Sequence, residues 1–173
     1  MTESIRVQGA GFTYRVDIGP GLLGEAGRWA KLGAADGVLI VSNDTVAELY
    51  LAKLQQTLHT AGIAQHSCIL PDGEQYKTLE SWQQILQHLV AMQASRKTMV
   101  LALGGGVIGD MAGFAAACYM RGIRVIQLPT TLLAQVDAAI GGKTGVNLPS
   151  GKNLVGAFHQ PAMVVMDTAT LRS

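Results

Sequence analysis

The segment Thr98 to Leu103 (TMVLAL) runs straight into Gly104-Gly105-Gly106-Val107-Ile108-Gly109, and a helical pattern from Met111 to Met120 follows. A short, nearly continuous apolar run suits a strand buried on both faces, which occurs almost only in parallel sheets covered by helices. Glycine directly after such a strand permits a tight turn and a close approach of backbone to another group. Strand, loop and helix together restrict the chain to layered α/β architectures.

The rest of the chain agrees. Phe12, Tyr14, Val16 and Ile18 alternate with Thr13, Arg15 and Asp17, the period of a strand with one buried face, and Ile5 to Gln8 is its expected antiparallel partner. Leu22 to Leu32 has helical spacing. Gly37 to Ser42 (GVLIVS) reads as a buried strand, Thr45 to Thr60 as a helix with apolar Val46, Leu49, Leu54 and Leu58, and Ser67 to Leu70 as another strand. A turn at Pro71-Asp72-Gly73 leads to a helix from Thr78 to Met92, with N-terminal caps in the Thr78/Ser81 region. Arg124 to Leu128 (RVIQL) is a strand, Thr131 to Ala139 a helix and Ala162 to Met166 a last strand. Strands alternating with helices predict an α/β fold: a Rossmann-like, mostly parallel sheet with flanking helices, plus an N-terminal antiparallel strand pair. Residues 1–173 are expected to form one domain, without repeat or linker.

Composition narrows the partners. Charged residues are 14% of the chain and hydrophobic residues 49%, against about 25% charged in an average soluble domain, so part of the surface is expected to face a partner. Formal net charge is +1 and no cluster of five Lys/Arg occurs, which excludes the electrostatic footprint of a nucleic-acid or membrane-surface binder. Cys68 and Cys118 show no ligand spacing and are expected to be buried structural thiols of a reducing compartment. No apolar run approaches the roughly 18 residues of a spanning helix, and no secretory pattern opens the chain; a cytoplasmic protein is expected.

Gly104 to Gly109 satisfies GxGxxG between a strand and a helix, the context in which glycines and helix N–H groups receive a pyrophosphate. The fingerprint is incomplete, because no acidic residue lies between Arg121 and Val136 to hold a ribose. Asp110 fits a helix cap as well as a ligand contact, and the glycines fit tight helix–strand packing as well as a phosphate cradle. A second glycine-rich region follows RVIQL: Pro129-Thr130-Thr131, then Asp137, Gly141-Gly142-Lys143-Thr144-Gly145 and Gly151-Lys152-Asn153. Its GKT triplet is no P-loop, since Asp137 stands where the first glycine of that motif belongs. Arg121, Lys143 and Lys152 are cations set among glycines and short polar side chains, which suits an anionic substrate. The histidines at 59, 66, 88 and 159 have no metal-ligand spacing; His59 and His88 are expected on helix surfaces, and only His159 lies near the glycine loops.

Four stretches, DGEQYKT (Asp72 to Thr78), GGGVIGDMAGFAAACYMRG (Gly104 to Gly122), QLPTTLLAQVDAAIGGKTGVN (Gln127 to Asn147) and GKNLVGAFHQP (Gly151 to Pro161), closely resemble one family, 3-dehydroquinate synthase, and the likeness runs from Asn43 to the C-terminus. The resemblance implies that NAD is held by Asn43, Asp72, Glu74, Lys77, Gly105, Gly106, Asp110, Thr130, Thr131, Leu133, Lys152, Thr170 and Leu171. In such an arrangement the acidic contacts come from other loops, which accounts for the missing ribose acid. It also implies that a phosphorylated sugar acid, 3-deoxy-D-arabino-heptulosonate 7-phosphate, meets catalytic Arg121, Asp137, Lys143 and Asn153. The implied reaction is oxidation of a hydroxyl by NAD, loss of phosphate, re-reduction, ring opening and aldol closure. The family carries a further, mainly helical domain with a glutamate and two histidines for a divalent metal, zinc or cobalt. That domain is expected to be absent here, with no metal ligand in this chain and no activity from it alone, and a homodimer is expected. Related sugar-phosphate cyclases, metal-dependent alcohol dehydrogenases and a noncatalytic NAD-binding module are the alternatives.

Overall fold

The computed structural model describes residues 2–30 and 35–173. Strands β1 (Glu3–Gly9) and β2 (Phe12–Gly19) pair antiparallel, with Ile5 opposite Val16 and Val7 opposite Tyr14. The pair is part of the main sheet, because β2 also runs parallel to the last strand of the chain. Asp17, on the polar side of the alternation, is nevertheless buried: Ser4 Oγ donates to it at 2.6 Å, and Arg15 and Arg28 both form ion pairs with it.

The central strands are β3 (Val38–Asn43), β4 (Gln65–Leu70), β5 (Met99–Gly104), β6 (Arg124–Pro129) and β9 (Met163–Asp167). The sheet order is β1-β2-β9-β6-β5-β3-β4, parallel throughout except for β1. Every residue of β3, β5 and β9 is buried, as their unbroken apolar runs require.

Helices cover both faces. Alternate residues Val38, Ile40, Met99, Leu101 and Leu103 pack with Leu54 and Leu58 of α2 (Asp44–Thr60) and Trp29 of the four-residue α1 (Ala26–Trp29). Leu39, Val41, Val100 and Ala102 face Ile85 and Leu89 of α3 (Leu79–Ala91) and the apolar side of α4 (Gly106–Cys118). Each such buried aliphatic side chain contributes about 1.5–3 kcal/mol of transfer free energy. Thr78 caps α3 by accepting the Ser81 N–H at 3.3 Å.

Several elements differ from the sequence reading. The helix expected from Leu22 to Leu32 is broken into a 3-10 turn (Leu22–Gly24) and α1, and its last two residues, 31 and 32, lie outside the described residues. The break falls at Glu25 (φ −87, ψ 88), while the buried Asp167 carboxylate anchors the first piece by accepting the N–H groups of Gly21 at 2.7 Å and Leu23 at 3.0 Å. Leu49 was counted on the apolar face of α2 but is 55% exposed. Helix α4 starts at Gly106 rather than Met111, and Met120 has left-handed φ 49, so the helix ends before it. The helix expected from Thr131 to Ala139 is present from Leu132 to Ala138, but its part from Ala134 to Ala138 is wound more widely, as a π-helix, with Ala139 N–H bonded to Ala134 O at 3.0 Å. Cys68 is buried as expected, whereas Cys118 is exposed at the end of α4.

The largest difference is an antiparallel hairpin, β7 (Lys143–Leu148) and β8 (Gly151–Phe158), where the sequence reading saw only glycine-rich loop. It lies on the outer side of α4, with Val146 fully buried there. Helix α4 is thereby enclosed between sheet and hairpin. A Cβ on Gly109 would stand 2.8 Å from Gln127 Oε1 of β6, and one on Gly113 would stand 2.5 Å from Thr144 Cγ2 of β7. Each helical glycine costs roughly 1 kcal/mol relative to alanine, and here the cost is offset by close packing on both sides.

Candidate active site

The parallel strands deliver their carboxyl ends to one edge of the sheet. Neighbouring β3 and β5 are followed by helices on opposite faces, so the chain reverses direction between them. A crevice opens outside such a switch point. On one side stands Asn43: its Oδ1 accepts the Val46 N–H at 2.8 Å and caps α2, while its Nδ2 donates to Asp72 at 2.6 Å. Thr45 Oγ1 donates to the other Asp72 oxygen at 3.1 Å.

On the other side α4 begins at Gly105 with no side-chain cap, so the first-turn N–H groups are not taken up by a side chain. The glycines of this loop differ in purpose. A Cβ on Gly104 would lie 2.8 Å from Ile108 Cβ, and one on Gly106 would lie 3.3 Å from Ala138 Cβ, so packing alone explains both. Gly105 has an ordinary φ of −76, and a Cβ there would meet only Thr131, at 3.5 Å. Neither packing nor backbone conformation demands glycine at 105. Beside it Thr130 is buried, and its Oγ1 has no hydrogen-bond partner among the described residues.

Beyond β9, Asp167 also accepts the Ala169 N–H at 3.0 Å, and Thr170 Oγ1 donates to Asp167 O at 2.7 Å. Buried Gln135 joins this corner to β6 through Nε2, which lies 3.2 Å from Pro129 O and 3.4 Å from Thr170 Oγ1. Leu171 and Leu133 are exposed at the same edge.

The hairpin closes the far wall. Lys77 is buried, and its ammonium donates to Asp110 Oδ2 at 2.5 Å and to Asn153 Oδ1 at 2.6 Å. Asp110 sits on the second turn of α4 and is an ion-pair partner, not the helix cap. Burial pushes its carboxyl above the ordinary value, against the downward pull of Lys77. Asp110, Asp137, Lys143 and Asn153 line one crevice with Phe158 and Leu154 of β8. Lys143 Nζ lies 3.8 Å from Asp137 Oδ1, both largely exposed, and Lys152 Nζ lies 3.9 Å from Glu74 Oε1. Since Lys143 opens a strand, the GKT triplet is confirmed as no P-loop.

Arg121 does not join them. It follows α4, whose 13 residues carry the chain roughly 20 Å from Gly106, and it lies just before the amino end of β6. Its φ of 64 belongs to the turn that reverses the chain there. His159 is also at that end, its Nε2 2.8 Å from Ile123 O. Among the described residues no group of three or more His, Cys, Asp or Glu could hold a metal ion, and no helix is long and apolar enough to cross a membrane. The sequence reading missed Gln135, Asn147 and Asp167. All three are buried or bonded across the fold, and no local pattern marks them.

An open, mostly parallel sheet that gathers acidic, amide and uncapped N–H groups at its carboxyl edge defines a Rossmann-like α/β domain. Residues 67–173 match the family described as 3-dehydroquinate synthase N-terminal. A 3-dehydroquinate synthase from Haemophilus ducreyi is 54% identical over 160 residues, covering 92% of this chain and 44% of the relative. The chain therefore belongs to the 3-dehydroquinate synthase family, and it spans about half the length of the curated relatives it matches. The structure of a 2-deoxy-scyllo-inosose synthase, complexed with carbaglucose-6-phosphate, NAD+ and Co2+, superposes with a TM-score of 0.91 at 31% identity, covering 98% of this chain and 47% of that one. A 2-epi-5-epi-valiolone synthase from Streptomyces hygroscopicus subsp. jinggangensis, with NAD+ and Zn2+ bound, gives 0.82 at 33% identity over 96% of this chain and 46% of that one.

Proposed function

We propose that the protein is a 3-dehydroquinate synthase, converting 3-deoxy-D-arabino-heptulosonate 7-phosphate to 3-dehydroquinate and phosphate, and that this stretch binds its NAD. The observation that carries the reading is the Lys77 ammonium shared between Asp110 and Asn153, which sets a cofactor-side acid against a substrate-side amide. The residues fit the dinucleotide: the N–H groups at Gly105 and Gly106 and the unpartnered Thr130 hydroxyl offer donors to its phosphates. Asn43, Asp72, Glu74, Lys77, Asp110, Thr131, Leu133, Lys152, Thr170 and Leu171 would complete its surroundings. When bound, NAD supplies a hydride acceptor that is restored within the same turnover.

The chain's own residues bind and orient. Lys143 presents a cation to the substrate's phosphate or carboxylate, with Asp137 beside it to restrict its reach. Lys77 neutralises Asp110, which would otherwise repel every anion entering the crevice. Asn153 presents its amide to a substrate hydroxyl. Among the described residues no group of three or more His, Cys, Asp or Glu could hold a divalent metal, and none of them is proposed as a ligand.

Phosphate release from the heptulosonate phosphate, with NAD and zinc added, tests the reading. A protein carrying this stretch together with the remainder found in its relatives should turn over at ~1 s⁻¹ or faster. Residues 1–173 alone should bind NAD without turnover. Failure of these residues to bind NAD would overturn the assignment.

A further inference from the structure

We infer that Asn147, a residue outside the sites assigned above, is a positioning residue that locks the cofactor-side loop to the substrate-side asparagine; the inference rests on the functional reading just proposed. Within the hairpin Val146 pairs with Val155, so a regular antiparallel ladder would set Leu148 opposite Asn153. Leu148 instead pairs with Gly151. The slip leaves β8 bulged at Lys152 to Leu154, with Asn153 in left-handed φ 55, a conformation asparagine adopts more readily than most side chains.

Asn147 sits at that irregularity and uses every polar group it has on this side. Its backbone N–H donates to Lys77 O at 2.8 Å. Its Nδ2 donates to Glu74 Oε1 at 2.8 Å, and its Oδ1 accepts the backbone N–H of Asn153 at 2.9 Å. Asn153 is thus held at the main chain by Asn147 and at the side chain by Lys77. Glu74 and Lys77, both on the cofactor-side loop, are held by the same residue. The set needs a side-chain amide at this reach, and glutamine's extra methylene would displace it: aspartate keeps the acceptor for Asn153 but repels the Glu74 carboxylate, and alanine loses both side-chain bonds.

The inference predicts an order among variants. In residues 1–173, amide hydrogen exchange by NMR should show the Asn153 N–H protected in the parent and in Asn147→Asp, and exchanging roughly tenfold faster in Asn147→Ala. Amides of Glu74 to Lys77 should exchange faster in both variants. NAD titrated into the same samples should bind roughly tenfold more weakly to Asn147→Ala, with Asn147→Asp also weakened, while thermal melting stays cooperative. Unchanged Asn153 exchange in Asn147→Ala overturns the inference, and so does altered exchange with unaltered NAD affinity. If Asn147→Ala fails to fold, Asn147→Asp decides: a protected Asn153 with a loosened Glu74 loop and weaker NAD binding supports the inference, and any other pattern refutes it. Absence of NAD binding by the parent itself would instead overturn the functional reading.

Discussion

The Lys77 ammonium lies 2.5 Å from the Asp110 carboxylate, and only 5% of the lysine side chain is exposed. A charge so deeply placed is tolerable only because Asp110 and Asn153 receive it. Lys77→Met should therefore strand a largely buried carboxylate and destabilise the fold at pH 7 by about 3 kcal/mol. The loss should shrink in acid. Because burial holds the Asp110 carboxyl above its ordinary value, this group's contribution to stability is fully present below about pH 4 and is lost as pH rises through the folded value. Relative to Asp110→Asn, the parent should gain melting temperature as pH is lowered through that window, and calorimetric melts at several pH values measure it.

Two glycines separate ligand contact from packing. Gly113→Ala drives a Cβ to 2.5 Å from Thr144 Cγ2, and Thr144 is anchored by its own 2.6 Å bond to Ala157 O, so melting should show a loss of about 1–3 kcal/mol. Gly105→Ala should change stability by less than about 0.5 kcal/mol while weakening NAD in a calorimetric titration. A Gly105→Ala variant that binds NAD like its parent would place the pyrophosphate elsewhere.

The cysteines should react very differently. Burial pushes the Cys68 thiol up to about 11, within the core formed with Leu39, Val41 and Leu70. Cys118 is exposed. At pH 8 an aromatic disulfide reagent should label one thiol per native chain promptly, and the second only on unfolding.

Lys143→Ala, in a protein competent for turnover, should lower kcat/KM for the heptulosonate phosphate by roughly 10- to 150-fold, the worth of one charge-assisted hydrogen bond. NAD affinity should be unchanged. Equal losses in both would move Lys143 to the cofactor side.

What was legible in the sequence follows short-range rules. The unbroken runs VLIVS and MVLALG needed no partner to be read as buried strands, because apolar side chains on both faces of an extended segment leave no other place for it. The cap at Thr78 acts within a few residues, and the glycine loop sits between a strand and a helix that are themselves locally encoded. From these the α/β architecture and the carboxyl-edge crevice could be read, and motif resemblance gathered most of its residues.

The tertiary structure decided what depends on distant partners. Lys143 to Phe158 reads as loop because its glycines depress strand propensity, yet Gly145 and Gly156 are where the two hairpin backbones come so close that a side chain would collide with Val155 O and Thr144 O. The first turn of the helix expected from Leu22 is anchored by a carboxylate 144 residues from Leu23, Asp167, a partner that no local pattern marks. Arg121 shares a motif with the glycine loop, but a helix's length sets it at the other end of the sheet. Neighbours along the chain are determined by periodicity and turn chemistry. The meeting of Lys77, Asp110, Asn147 and Asn153 exists only once α4 is enclosed between sheet and hairpin, because only there does a buried ammonium find one acceptor on α4 and another on the hairpin.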